Sequence, residues 1–220
     1  FASGRGKGSV VRGGPSIKPM SVRAAVEGGL WEQIKNRYDA AQASGTSSFT
    51  DTDTEVLTEP LGSSTSSPIV PYIVKIARRL RDKPKNVGKG SASREERMKI
   101  NPFLPPDPNL YVAQLTGTHS LVLNKFNITP HHVIIITDAF EDQEIPLSLK
   151  DFQATWMVVC EMGDDGLGGM AFFNRGPLSG ASQPHKHIQC VPLPIASSAD
   201  GKGLEAPFAP IIREALGILE

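Results

Sequence analysis

Two histidines and a glutamine occupy every second position, 185, 187 and 189, of the segment 185–191, His-Lys-His-Ile-Gln-Cys-Val. We predict a strand there, and successive side chains of a strand point to opposite faces. One face would then carry His185, His187 and Gln189, and the other Lys186, Ile188 and Cys190. A neutral imidazole beside a bound phosphate can attack phosphorus and pass the group that it captures to a second acceptor. The alternation therefore predicts a surface for group transfer at phosphorus.

A loop of small residues, Ser179-Gly-Ala-Ser-Gln183, comes just before this strand. Its glycine lets the backbone turn several N–H groups towards one point, as in an anion-binding nest, and the serine hydroxyls lie beside them. We expect a phosphate group to bind at this loop, next to the histidines.

The residues alone leave other interpretations of the histidine pair open. Isolated His-x-His pairs are often structural, or they bind a metal. A zinc site of His185, His187 and Cys190 is disfavoured, because Cys190 has the wrong parity for the histidine face and no fourth ligand is nearby. The other histidines lie at predicted strand ends and turns, and we interpret them as structural: His119, His131 and His132.

The composition excludes several classes of protein. The 220-residue chain has 23 Lys and Arg against 23 Asp and Glu, so it offers no overall field for nucleic-acid or membrane binding. No apolar run approaches the roughly 18 residues of a membrane span, so we expect no transmembrane segment. Two cysteines are too few for a disulfide framework, which favours a reducing, intracellular compartment.

We predict three parts along the chain. Residues 1–27 form a basic leader without an apolar core, either a disordered tail or a transit peptide, which makes the location cytoplasmic or else plastid or mitochondrial. Residues 28–68 contain a helix over 30–45 and a flexible linker with a short strand at 55–58. Residues 69–220 form the catalytic domain. Within it the charged run 81–99 is either a solvated loop or a lid over phosphate.

In the third part, several strands and one helix follow each other without the βαβ alternation of a parallel sheet. This order predicts an α+β domain with an antiparallel sheet and a packed helix. Ser148 and Asp151 fit a capping box, and the following helix up to Gly163 has Phe152, Trp156 and Val159 at helical spacing. The predicted strands cover residues 72–79, 120–126, 132–137, 170–174 and 185–191, the second and third forming a hairpin. A last short helix is predicted at 210–219.

Several separated motifs occur in one order along residues 69–194. They are Asp82-Lys-Pro84, Leu123-Asn-Lys-Phe-Asn127, Pro130, His132, Phe140, Gln143, Leu147, Asn174, Ser179-Gly-Ala-Ser-Gln183 and His185-Lys-His-Ile-Gln189. Together they resemble the diadenosine tetraphosphate phosphorylases, also called ATP adenylyltransferases, of the histidine-triad superfamily. In that family too, the third triad position is Gln.

The resemblance implies a histidine-triad-like fold and phosphorolysis of diadenosine tetraphosphate to ATP and ADP through an adenylylated histidine. It makes His187 the nucleophile, with His185 and Gln189 as the other catalytic positions. The substrate-binding positions that it implies are Lys83, Asn124, Lys125, Asn174, Gly180, Ala181, Ser182, Gln183 and Gln189. The partners would be nucleotides and phosphate, with no nucleic acid and no membrane. The resemblance assigns no metal ligand, and it leaves a divalent cation such as Mg²⁺ open as a cofactor.

The family continues beyond the position of Glu220, so we expect the chain to lack the family's C-terminal part. One alternative is therefore a non-enzymatic module that binds or senses nucleotides. Another is an enzyme like galactose-1-phosphate uridylyltransferase, although Lys186 stands where that family has proline and no cysteine pair for a metal lies upstream.

Overall fold

The computed structural model describes residues 29–60, 69–77, 101–163, 168–197, 203–204, 212 and 216–217. The predicted basic leader, the charged run 81–99 and Lys83 lie outside the described residues. The predicted helix 210–219 also lies outside them, apart from Ile212, Leu216 and Gly217. Within the described part, no helix combines the length and the apolar character needed to cross a bilayer.

Two helices and eleven short strands make up the described structure. The helices are α1 (Gly29–Ala43) and α2 (Leu149–Glu161). The strands are β1 (Ser48–Phe49), β2 (Asp53–Pro60), β3 (Ile69–Ile76), β4 (Tyr111–Gln114), β5 (His119–Leu123), β6 (Phe126–Asn127), β7 (Val133–Thr137), β8 (Gly169–Phe172), β9 (His187–Pro192), β10 (Ala196–Ser197) and β11 (Gly203–Leu204).

The main sheet has five strands in the order β4-β5-β7-β9-β8, and each neighbouring pair is antiparallel. Three two-stranded pairings accompany it: β1 with β6, β2 with β3, and β10 with β11. The helices pack against the main sheet, so the predicted α+β class is confirmed.

The register of β7 and β9 separates the two faces of the sheet. Ile135 lies opposite Ile188, and both belong to the main core with the buried side chains of α1 and α2. Ile136 lies opposite His187 and Ile134 opposite Gln189, and both isoleucines pack on the other face with Phe103. The predicted alternation along β9 is therefore confirmed. One face is covered by helices, and the other carries the histidines.

Helix α2 begins at the predicted capping box. Ser148 Oγ accepts a hydrogen bond from the Asp151 amide, and the Asp151 carboxylate accepts one from the Ser148 amide. Of the three residues whose spacing predicts this helix, Val159 packs against the main core, whereas Phe152 and Trp156 are 58% and 67% exposed. The buried side chains are Asp151, Ala154 and Val158. Asp151 can occupy an inner position because basic side chains of the sheet bind its carboxylate.

Helix α1 belongs to the same core as the sheet, since Ile34, Tyr38 and Ala41 are buried in it. The predicted division of the chain at residue 69 stays a prediction, but the packing of α1 crosses it. Residues 48–60 contain the two strands β1 and β2. β1 pairs with β6, and the predicted strand at 55–58 extends to Asp53–Pro60 by pairing with β3.

The predicted strand boundaries differ from those observed where side chains bind the backbone. The expected strand 120–126 ends at Leu123, because the Asn124 side chain donates a hydrogen bond to the Phe126 carbonyl and turns the chain. The expected strand 185–191 starts at His187, and His185 makes only an isolated bridge to Asp142. Strand β4, which the sequence analysis does not predict, is short and contains a bulge.

Candidate active site

His187, the first residue of β9, is buried at 3% exposure. Its Nδ1 lies 2.8 Å from the His185 carbonyl oxygen. A carbonyl only accepts, so the neutral ring carries its proton on Nδ1 and has a lone pair on Nε2. Burial lowers the pKa of His187, an effect that the His185 carbonyl opposes, so the neutral form predominates at pH 7. Nε2 makes no hydrogen bond to the described residues, so its lone pair is available to a ligand.

His185 is held differently, because both of its ring nitrogens are engaged. Nε2 lies 2.9 Å from the Thr137 carbonyl oxygen, and Nδ1 lies 2.9 Å from Asn101 Nδ2. The rings of Phe103 and Phe140 contact the imidazole at centroid distances of 5.6 and 5.5 Å. Burial lowers the pKa of His185 as well. With no free nitrogen, this residue is suited to orient His187 through its carbonyl group.

Gln143 fixes the backbone around both histidines. Its Oε1 accepts a hydrogen bond of 2.7 Å from the His187 amide, and its Nε2 donates to the carbonyl oxygens of His187 and Asn174 at 3.2 and 2.7 Å. The backbone N–H of Gln143 donates a hydrogen bond of 2.8 Å to the Pro184 carbonyl oxygen. One buried glutamine therefore ties Asn174 and the 184–187 segment together.

The small-residue loop has a conformation suited to an anion. Pro177–Ser179 forms a 3₁₀ turn, and Gly180 follows in the left-handed region at φ +83°. A right-handed residue followed by a left-handed one is the backbone pattern of a nest. Ser182 is exposed, and the Oε1 atom of Gln183 is buried without a hydrogen-bond partner among the described groups.

The remaining predicted site residues lie at several places around β9. Gln189 is on the histidine face of the strand, paired with Ile134 on one side and Phe172 on the other. Asn174 follows β8, which pairs with β9. Asn124 and Lys125 lie in the turn after β5, at the other end of this face, and the Lys125 side chain is exposed. The roles of these residues stay predictions.

Comparison with known protein families shows what the chain is related to. The family "Ap4A phosphorylase N-terminal domain" matches residues 21–214, which is most of the chain. The chain belongs to this family. The resemblance drawn from the motifs is thereby confirmed.

Two curated yeast proteins are similar to this chain. Diadenosine 5',5'''-P1,P4-tetraphosphate phosphorylase 2 of Saccharomyces cerevisiae is 31% identical over 77% of the chain and 51% of its own length. Protein APA1 of the same yeast is 27% identical over 73% of the chain and 48% of its own length. The chain therefore spans about half the length of the curated relatives it matches.

Solved structures agree with the family and with a histidine-triad-like fold. The crystal structure of yeast Ap4A phosphorylase Apa2 in complex with AMP has a TM-score of 0.57 and 28% identity, over 74% of this chain and 48% of that one. The same enzyme in complex with Ap4A has a TM-score of 0.61 and 26% identity, over 83% of this chain and 55% of that one.

Three residues on or beside the histidine face of the sheet received no site role from the sequence. Asn101 and Phe103 lie in a Pro-rich segment without a periodic pattern, so no signal distinguishes them. His132, interpreted as structural, lies on the histidine face with its ring 6.0 Å from that of Phe172. His119 and His131 do fit a structural interpretation, since they contact Asp151 and the aromatic side chains of α1 respectively.

The described residues do not fit a metal held by the protein. No three His, Cys, Asp or Glu side chains of the described ranges come together as ligands. Cys190 lies in the helix-side core, and burial raises the pKa of its thiol to about 12, so it is not available as a thiolate.

Proposed function

We propose that the chain carries the catalytic centre of a phosphorylase that cleaves diadenosine tetraphosphate with phosphate to ATP and ADP. The observation that carries this proposal is the geometry of His187, whose Nδ1–H faces the His185 carbonyl while Nε2 has no partner among the described residues. Membership of the Ap4A phosphorylase N-terminal domain family supports the choice of substrate, and so does the likeness to Apa2 solved with Ap4A.

The reaction proceeds in two displacements at one α-phosphorus. His187 Nε2 attacks it, a P–N bond forms, and the P–O bond to the β-phosphate breaks to release ATP. An oxygen of inorganic phosphate then attacks the same phosphorus, and the P–N bond breaks to release ADP. Both leaving groups depart without a strong acid, which agrees with the two histidines' low affinity for a second proton.

The other predicted residues hold the nucleotide during these steps. In our proposal the backbone around Gly180, with Ala181, Ser182 and Gln183, binds phosphate oxygens, since a nest offers N–H groups to an anion. Lys83, Lys125, Asn124 and Asn174 contact the nucleotide, and Gln189 donates to a phosphate oxygen. Positioned donors and positive charge are the main requirements of such a transfer.

Trapping of the intermediate tests the proposal. Diadenosine tetraphosphate labelled in its adenosine groups should leave an acid-labile adenylyl group on the chain, with release of an equivalent amount of ATP. ADP, and continued release of ATP, should appear only when phosphate is present. His187→Ala should abolish labelling, whereas His185→Ala should weaken it, because His185 acts through its backbone carbonyl. Nucleotide binding without labelling of the parent protein would instead support a binding or sensing module. Labelling that survives in His187→Ala would reject the assigned nucleophile.

The proposed function also suggests where in the cell the protein acts. Its nucleotide substrates are intracellular, and both Cys160 and Cys190 are free thiols, as expected of a protein in a reducing compartment. We propose an intracellular location, either cytoplasmic or in an organelle reached through the basic leader. Microscopy of the protein fused to a fluorescent tag at its C-terminus would distinguish the two.

A further inference from the structure

A chain of hydrogen bonds starts in the turn after β5 and ends beside the candidate active site. Asn124 Nδ2 lies 3.0 Å from the Phe126 carbonyl oxygen and 3.1 Å from His132 Nδ1. Because a carbonyl only accepts, the atom facing Phe126 must be the amide nitrogen, and this fixes the orientation of the Asn124 side chain. Its second N–H then donates to His132 Nδ1, which must be the unprotonated nitrogen of the ring.

The proton of neutral His132 consequently lies on Nε2. This residue is 7% exposed, and Nε2 is a buried atom that makes no hydrogen bond to the described groups. Burial lowers the pKa of His132 to about 4, so the ring is neutral at pH 7. The structure therefore contains a buried N–H donor that an acceptor oxygen would stabilise.

Gln189 is the neighbouring polar side chain on this face. It is paired with Ile134, two residues beyond His132 on the same side of the sheet, and with Phe172, whose ring lies 6.0 Å from that of His132. The nearby Gln189 side chain raises the pKa of His132 against the larger effect of burial, as an acceptor oxygen close to the ring would, while His132 Nε2 has no hydrogen-bond partner among the described groups.

We propose that His132 is a positioning residue that sets the orientation of the Gln189 carboxamide. In the nucleotide complex, His132 Nε2–H donates to Gln189 Oε1, and the Gln189 N–H groups therefore face the phosphate. The two ends of a carboxamide are nearly equal in size, so without such a partner the oxygen can turn towards the phosphate, where it repels the negative charge. This inference rests on the proposed function, because it assigns Gln189 to a phosphate.

A double-mutant cycle tests the proposal in the full 220-residue chain. His132→Phe and Gln189→Ala should each slow the formation of adenylyl-His187 by about tenfold, with a smaller change in the KM for diadenosine tetraphosphate. The double variant should be no slower than Gln189→Ala, because His132 acts only through Gln189. A double variant that shows the product of the two single effects would overturn the proposal.

A neighbouring imidazole provides the matched control. His131 contacts Trp31 and Tyr38 instead of the site and has φ +57°. His131→Asn removes this ring with a residue that tolerates that backbone conformation, and should leave the rate of adenylylation within about twofold. A loss as large as that of His132→Phe would show that the cycle measures general destabilisation.

Nitrogen-15 NMR of the histidine rings gives a second test that needs no activity. His132 should show the Nε2–H tautomer and no titration between about pH 5.5 and 8, with and without AMP, and the Nδ1–H tautomer would overturn the inference. If the chain does not cleave diadenosine tetraphosphate, the proposed function fails and this measurement still decides the orientation of His132. If cleavage is observed and the cycle is additive, only the inference fails.

Discussion

At the scale of single residues, His185, just before β9, and His187, the first residue of β9, have the same type and different surroundings. His185 has a partner on each ring nitrogen, whereas the described residues give the His187 ring a partner on Nδ1 alone. Their positions two residues apart predict that the two side chains share a face of the strand. The spacing does not distinguish their roles, because the ring nitrogens of His185 are occupied by Asn101 and Thr137, which are distant in the sequence. Hydrogen-bond partners, not residue type, therefore separate nucleophile from orienting residue in this proposal.

Gly180 yields a prediction about how phosphate is held. Its φ is +83° and no atom lies within 4 Å of an added Cβ, so Gly180→Val introduces backbone strain and no clash. We expect it to weaken AMP binding by about 1–2 kcal/mol or more, against about 0.5–1.5 kcal/mol for Ser182→Ala, which removes one hydroxyl. Calorimetric titration with AMP measures both effects.

Gly180→Asn is the control for this prediction, because asparagine tolerates the left-handed region. It should bind AMP nearly as well as the parent protein. Equal losses in Gly180→Val and Ser182→Ala would show that side chains, and not the backbone conformation, hold the phosphate.

At the scale of elements, Gln143 connects the loop before α2 with β9 and the residues after β8. Gln143→Ala leaves the buried His187 amide without its acceptor, which costs about 1–3 kcal/mol of stability. Because it also frees the nucleophile's backbone, we expect kcat to fall more than KM rises. Urea unfolding and steady-state kinetics measure the two effects, with the exposed Gln153→Ala on α2 as the control. Lower stability with an unchanged kcat would restrict Gln143 to a structural role.

The orientation of α2 gives a second prediction at this scale. Ala154 is fully buried against the sheet, while Trp156 is 67% exposed. Ala154→Leu should lower the free energy of unfolding by about 1–3 kcal/mol through overpacking, whereas Trp156→Gln should change it by less than about 0.5 kcal/mol. Denaturant midpoints of the two variants test this. The opposite ranking would show that Trp156, and not Ala154, lies on the packed side of α2.

Local pattern accounts for the elements that the sequence predicts well. The capping box at Ser148 and the alternation along β9 depend on residues within a few positions of each other, and both are confirmed. Contacts between distant segments leave no such periodic signal. Asn101 meets His185 across 84 positions, and Lys186 meets Asp151 across 35. The sequence therefore predicts the face and order of the site residues, but not the groups that orient them.

At the scale of the whole molecule, a buried network of charges joins the sheet to α2 behind the histidines. Asp151 binds His119 Nε2 and Lys186 Nζ, each at 2.9 Å, and Lys186 also binds Glu141 at 2.9 Å. Lys186 is 1% exposed and stands between His185 and His187 in the chain. Fixing it on the helix side of the sheet keeps both histidines on the opposite face.

This network predicts how stability depends on pH. Burial alone would raise the pKa of Asp151, but hydrogen bonds from His119, Ser148 and Lys186 together hold it well below its ordinary value. A carboxyl group with a lowered pKa in the folded state contributes stability that is fully present above its unfolded pKa of about 3.9. That contribution is lost as the pH falls through the folded pKa. The free energy of unfolding should therefore decrease from about pH 5 towards pH 2.

Substitution of Lys186 separates this network from other acid effects. Lys186→Met leaves the buried Asp151 carboxylate with fewer donors, so it should cost about 3–5 kcal/mol at pH 7 and make the decrease at low pH shallower, because the pKa of Asp151 then lies closer to its unfolded value. Lys150→Met removes an exposed lysine from the same region and should change neither quantity measurably. Urea unfolding across the pH range measures both variants, and parallel curves for the parent protein and Lys186→Met would show that Lys186 is not what keeps Asp151 ionised.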